Sequence, residues 1–153
     1  MDFIELDKRS GIDQNEKMHS RYVLFEKLID ELKIKEIPSE IVNSINQDIS
    51  AVNAFSGTNK EFLKNLIKAQ TRILKLIETE LKLVVKNHYR SMWLAIGMGA
   101  FGIPFGVAFG SVMGNMAFIG IGLPLGMALG MAYGTTLDKK AFESGKQLDL
   151  DLI

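Results

Sequence analysis

SMWLAIGMGAFGIPFGVAFGSVMGNMAFIGIGLPLGMALGMAYGTTL, residues 91–137, holds no ionisable side chain apart from Tyr133. Eleven of the chain's 14 glycines fall inside it. A hydrocarbon layer about 30 Å thick takes about 20 apolar residues of helix to cross. The stretch is too long for one span and suits two with a tight turn between them. Gly114-Asn115 reads as that turn, dividing Met92–Met113 from Met116–Thr136. Helices joined this closely run antiparallel, because lipid leaves irregular backbone unsatisfied. The competing reading is a core hairpin of a water-soluble protein, which would need far more polar chain to cover it.

The stretch repeats itself with a period of 20. Gly102-Ile-Pro-Phe-Gly-Val-Ala-Phe-Gly110 aligns with Gly122-Leu-Pro-Leu-Gly-Met-Ala-Leu-Gly130. Four-residue spacing gives one run of Gly102, Gly106, Gly110 and Gly114, and a second of Gly122, Gly126, Gly130 and Gly134. Residues four apart share a helix face, so each span carries a stripe without side chains. Membrane helices associate by close backbone packing along such stripes. The stripes face each other within one hairpin, or they face neighbouring subunits; spacing alone leaves both open. Pro104 and Pro124 hold equivalent places in the repeat, and each removes a backbone donor. They are expected to bend or hinge the spans by freeing the carbonyls of Ala100 and Gly120.

This pattern resembles the glycine-zipper class of bacterial membrane proteins, over about residues 91–137 only. The resemblance implies hairpins that oligomerise through GxxxG repeats and in some cases form pores. The glycine-rich hairpin of rotor-ring proton carriers is also similar, but that family needs a carboxylate in its second helix. Met116–Thr136 has none.

Lys82, Lys86 and Arg90 precede the first span, Lys139 and Lys140 follow the second, and the turn is uncharged. The positive-inside rule then places both termini in the cytoplasm of a bacterial inner membrane. Met1–Arg9 is acidic and has no apolar h-region, so no cleavable signal peptide is expected. Tyr89 and Trp93 stand where interfacial aromatics belong.

The sequence before the spans reads as helices. Glu16–Glu36 carries Tyr22, Phe25, Ile29 and Leu32 on one face and stops before Pro38. Ser39 can cap a second helix with the stripe Ile41, Ile45, Ile49, Val52 and Phe55. After Ser56-Gly57-Thr58-Asn59, a long helix is predicted over 60–90. Lys60, Lys64, Lys68, Arg72, Lys75, Lys82, Lys86 and Arg90 would fall within about a 120° arc of it. This segment has eight basic and three acidic residues (+5), against seven and eleven (−4) in residues 1–59. The two parts are therefore expected to close into a three-helix bundle. Lys64, Lys68, Arg72, Lys75, Lys82, Lys86 and Arg90 are candidates for contact with anionic lipid or for a charged vestibule. A purely solvated face is the alternative. Without interleaved aromatics, no nucleic-acid contact is expected.

Both ends alternate apolar and acidic residues. Residues 3–7 and 147–153 each read as a short strand, and the two could pair within or between subunits; a frayed tail is the alternative. Asp149 and Asp151 would share a face, which is weak grounds for a cation site.

Over all 153 residues, 47% are hydrophobic, 18 basic charges balance 18 acidic ones, and cysteine is absent. Thiolate sites and disulfides are thereby excluded. His19 and His88 are too few for a histidine-based metal site or triad and read as surface and interfacial residues. No GxSxG, GxxxxGKS/T or HExxH occurs, and Gly145-Lys146 lacks the context of a phosphate loop. Paired carboxylates at Asp30-Glu31 and Glu78/Glu80 are explained by Lys27 and Lys82 nearby.

The expected architecture is an all-α membrane protein: an N-terminal segment (1–15), a cytoplasmic helical bundle (16–90), a two-helix transmembrane hairpin (91–137) and a cytoplasmic tail (138–153). Its expected role is non-enzymatic and needs no cofactor or metal. The leading reading is a homo-oligomeric pore or membrane-permeabilising protein gated from the cytoplasm, a toxin or defence effector being one form of it. The alternative is a membrane anchor or scaffold whose bundle recruits a protein partner. Its partners would be membrane lipids, further copies of itself and, in the second reading, a cytoplasmic protein.

Overall fold

The computed structural model describes residues 2–9, 12 and 15–151. Among these, five helices and one two-stranded sheet form two compact units. The first unit comprises Met1–Val84 with Leu148–Ile153, and the second Val85–Gln147. The boundary thus falls earlier than residue 90, and the end of the tail belongs with the bundle.

In the first unit, α1 (Glu16–Lys33), α2 (Ser39–Asn53) and α3 (Asn59–Leu81) each bury one apolar face. On α2, Val42 is buried in place of the expected Ile41, which is half-buried, and Phe55 lies beyond the helix and is also half-buried. Tyr22, Phe25, Ile29 and Leu32 of α1 meet Val42, Ile45, Ile49 and Val52 of α2 and Phe62, Leu66, Ile73 and Ile77 of α3 in one core. Asn15 caps α1 by accepting the Met18 N–H. Ser39 does not cap α2; it is the first helical residue, behind Pro38. A capping box opens α3: Thr58 accepts from the Glu61 N–H while the Glu61 carboxylate accepts from the Thr58 N–H. The Thr58 hydroxyl also donates to the Glu61 carboxylate at 2.7 Å, and this bond, with the one from the Thr58 N–H, holds the Glu61 carboxyl below its ordinary pKa.

The long helix ends earlier than its pattern suggests. Lys82 adopts a left-handed conformation (φ 58°), and the Leu83 N–H turns back to the Ile77 carbonyl. A lysine there carries none of the glycine punctuation that marks such ends. The expected cationic stripe is therefore split: Lys64, Lys68, Arg72 and Lys75 lie on α3, while Lys82, Lys86 and Arg90 lie beyond it. Strands β1 (Val84–Val85) and β2 (Gln147–Leu148) form the sheet.

Residues 3–7 are extended but are not a strand of that sheet. They lie along α2, held by asparagine side chains. At the other end of the chain Leu148 and Leu150 are fully buried, and the Asp149 N–H donates to Glu31 of α1. Only Gln147–Leu148 of the expected 147–153 strand is paired, and residues 152–153 lie outside the described residues.

The second unit is a helical hairpin. Helix α4 (His88–Val112) contains a π-turn at Met98–Gly102, and α5 runs over Ile119–Glu143. Of these, α4 is long and apolar enough to cross a membrane. Gly114 closes α4 with φ 67°, Asn115 donating to the Gly110 carbonyl and Gly114 to that of Ser111. This is a Schellman end that needs glycine's access to positive φ. Gly145 (φ 68°) ends α5 in the same way, with the Lys146 N–H on the Ala141 carbonyl.

Candidate functional site: the glycine seam

The two prolines act differently. Pro104 cannot donate to the Ala100 carbonyl, and α4 responds by taking one extra residue into its turn: the Ile103 N–H reaches the carbonyl of Met98, five residues back. At Pro124, α5 stays α-helical throughout. The matched pair of bends expected from the repeat is therefore one π-turn and one uninterrupted helix. Gly120, four residues before Pro124, is exposed, so its carbonyl has room to find another partner.

The extra residue changes the glycine register. In an unbroken α-helix, Met98 would precede Gly102 on the same face. With the π-turn inserted, Gly97 takes that place and is buried, while Met98 is exposed. The seam of α4 therefore runs Gly97, Gly102, Gly106, Gly110, and Gly114 leaves it for the turn.

Opposite these, α5 presents Gly122, Gly126, Gly130 and Gly134, and the two backbones touch. A Cβ on Gly126 would lie 2.6 Å from the Cα of Gly102, and one on Gly122 2.6 Å from that of Gly106. On Gly97 it would approach the Gly130 Cα to 2.8 Å, on Gly134 the Arg90 Cα to 2.6 Å, and on Gly106 the Ile119 Cα to 2.6 Å. No side chain fits at any of these positions without backbone movement. Gly99 and Gly120, outside the seam, have nothing within 4 Å. Gly97, Gly102, Gly106, Gly122, Gly126, Gly130 and Gly134 thus pack against the partner helix within one chain.

Large side chains accordingly point outward. Phe101, Phe105, Phe109, Val112, Ile121, Leu125 and Leu129 are all exposed. Trp93 meets Tyr133 edge to face at 4.5 Å between ring centroids. Beside this pair lies an apolar groove of about 340 Å³, lined also by Phe101, Leu129 and Gly130. Two hydroxyls of α5 bond within their own helix: Thr135 donates to the Met131 carbonyl and Thr136 to that of Tyr133, each at 2.7 Å.

Charge enters the hairpin at one buried point. Asp138, in the last third of α5, is 7% exposed and accepts from the backbone N–H groups of Tyr89 (3.0 Å) and Arg90 (2.9 Å). These are orphan donors in the first turn of α4, where the helix dipole favours an anion. Asp138 thus caps the opposite helix and pins the open end of the hairpin. In the sequence it appears only as the first charge after a span, with nothing to mark its partner.

The basic candidates are dispersed. Lys64, Lys68 and Lys75 are exposed on α3, whereas Arg72 is paired with Asp48 of α2 at 2.6 Å. The Lys82 ammonium donates to the Thr79 carbonyl. The Arg90 guanidinium approaches the Met131 sulfur at 3.9 Å. Lys33, not Lys27, pairs with Asp30 at 2.9 Å, a bond that raises the lysine's pKa. His88 packs edge to face on Tyr89, and His19 is exposed. No group of three His, Asp or Glu side chains is placed to hold a metal among the described residues.

A second arrangement, in the first unit, was not anticipated. Asn46 accepts from the Ile4 N–H and donates to the Asp2 carbonyl (2.9 and 3.1 Å). Asn53 accepts from the Asp7 N–H and donates to the Glu5 carbonyl (3.0 and 2.9 Å). The Tyr22 hydroxyl donates to the Leu6 carbonyl at 2.9 Å. Burial and the nearby Glu26 carboxylate push the Tyr22 phenol up to about 12. Arg9 ends the segment, its guanidinium on the carbonyls of Phe55 and Gly57 and 4.9 Å above the Phe62 ring. Asn46 in the middle of α2 and Asn53 at its end read from sequence as solvated polar positions.

No protein-family model matches this chain, and neither does a curated protein or a solved structure.

Proposed function

We propose that the chain is a membrane-anchored binding module: α4 and α5 span a bilayer as one closed pair, and the helical bundle is held at the cytoplasmic face for a protein partner. The observation that carries this reading is the inversion of the hairpin, with glycine inside and Phe, Leu, Ile and Val outside. Contiguous apolar surface of this extent is a liability in water and ordinary against lipid. Lys82, Lys86 and Arg90 before α4, with Lys139 and Lys140 near the end of α5, support cytoplasmic termini. Exposed Lys64, Lys68 and Lys75 would add affinity for anionic headgroups.

The pore reading draws less support from this geometry. Glycines already packed against each other do not also zip neighbouring copies. Thr135 and Thr136 are bonded to their own helix, which leaves little polar lining for a conduit. Any copy-to-copy contact in the bilayer would use the outer aromatic faces.

Two measurements separate the readings. The full chain should stay with membranes after alkaline carbonate washing, and purified chain in liposomes should not dissipate an ion gradient. Release by carbonate would remove the anchor; flux above that of protein-free vesicles would restore the pore.

A further inference from the structure

The groove beside Trp93 and Tyr133 depends on the π-turn. At 100° per residue, an unbroken α-helix would hold Trp93 and Phe101 about 80° apart. One extra residue in the turn closes that angle to about 20°, so the two aromatics stand in line along α4. Leu129 and Tyr133, four apart on α5, form the facing wall, and Gly130 between the walls adds no side chain to fill the space. Every lining residue is apolar or aromatic. Phe101, Leu129 and Tyr133 are exposed along the groove, and Trp93 is half-buried.

Charge marks one end of it. Lys140 lies seven residues after Tyr133, on the same face of α5 and about 10.5 Å further toward the C-terminus. Helical side chains lean toward the N-terminus of their helix, which directs Lys140 back toward Tyr133. Lys140 is exposed and forms no ion pair with a described residue, whereas Lys139, on a neighbouring face, reaches Glu143 at 3.8 Å. Toward the other end Phe105 stacks on Phe101 at 6.3 Å between centroids, and the sequence there is uncharged.

An apolar slot that ends at a single cation has the polarity of an anionic phospholipid. A purely apolar solute would leave Lys140 unused, and a soluble anion would leave the slot empty. The tryptophan and tyrosine near the charged end suit the headgroup level of a leaflet. We propose that this groove binds one acyl chain of an anionic phospholipid of the cytoplasmic leaflet, with the lipid phosphate on Lys140. The proposal rests on the membrane-anchored reading and goes beyond it, because this lipid is a bound ligand and not part of a uniform surround.

Trp93 is the chain's single tryptophan and lines the groove, so its fluorescence reports occupancy. Full-length chain is reconstituted into phosphatidylcholine vesicles containing a rising fraction of lipid brominated on its acyl chains, either phosphatidylglycerol or phosphatidylcholine. Brominated phosphatidylglycerol should half-quench Trp93 at an about fivefold lower mole fraction, the preference that one lysine near a headgroup supplies. Lys140→Gln should bring the two curves together. Lys139→Gln removes the same charge from the neighbouring face and should leave them apart. Coincident curves in the parent chain would reduce the groove to ordinary lipid contact and overturn the proposal. A preference lost equally in both lysine variants would assign it to general surface charge and overturn the site as well. Carbonate washing of the same vesicles reports the anchor separately: coincident curves from retained chain refute the lipid site alone, whereas release with unquenched Trp93 refutes both readings.

Discussion

The bundle and the hairpin are built in opposite senses. In the bundle, Phe25, Leu28, Leu32, Ile45, Ile49, Leu66, Ile73 and Ile77 are buried and the charges face out. In the hairpin the seam glycines are buried, and Phe101, Phe105, Phe109, Leu125 and Leu129 face out. Water drives the first arrangement, because burying each large side chain removes apolar area from solvent. The second gains little from that effect, since its apolar side chains stay outside. It gains instead from backbone contact over a long seam. Similar apolar content thus yields two folds, according to which face carries the small residues.

The sharpest way to break this contrast is to make the same kind of change in both regions. Phe25→Ala in the bundle core should cost about 3–5 kcal/mol, through lost burial and a cavity. It should be read as loss of the bundle's cooperative transition while the hairpin persists. Gly126→Leu should cost about 3 kcal/mol, through the opposite fault of overpacking. Its readout is protease access to the hairpin ends, with membrane retention unchanged. If Gly126→Leu is neutral, the seam is not where the helices meet.

Smaller effects sharpen the picture. Asp138→Ala should cost about 2 kcal/mol by orphaning the Tyr89 and Arg90 amides, and hydrogen exchange at those two amides should accelerate. Thr58→Ala should cost the bundle about 1 kcal/mol by removing an N-cap. The lowered Glu61 pKa gives that cap a pH signature. Its contribution is fully present above the unfolded-state pKa and is lost as pH falls through the folded value. The gap between parent and variant in chemical denaturation should therefore narrow in acid to the part carried by the Glu61 N–H bond to Thr58; a gap independent of pH would dissociate the Glu61 carboxylate from the cap. Gly120→Ala, in open space on α5, should stabilise by about 0.5–1 kcal/mol. The same substitution at Gly130 should destabilise, and equal responses at the two positions would remove the distinction between seam and outer face.

Most of the architecture is legible in the sequence, because periodicity reports burial directly. The stripes of Tyr22, Phe25, Ile29 and Leu32, and of Ile45, Ile49 and Val52, become core. The period-20 glycine repeat lies along the helical hairpin. What stays hidden depends on geometry that no fixed period encodes. Gly97 sits five residues before Gly102, a spacing that means a shared face only once Pro104 has forced a π-turn. Lys82 stops α3 without a stop residue. Asp138 and the pair Asn46 and Asn53 gain their roles from partners more than 40 residues away.

The closed seam is tested most directly by glycine contacts in lipid. Chain labelled with 13C at glycine Cα, diluted into an excess of unlabelled chain in bilayers, should show cross-peaks for Gly97 with Gly130, Gly102 with Gly126, and Gly106 with Gly122. Because the contacts lie within one molecule, dilution should not weaken them. Loss of these cross-peaks on dilution would move the seam to the contact between copies, and their absence in undiluted samples would mean that the two glycine faces do not meet.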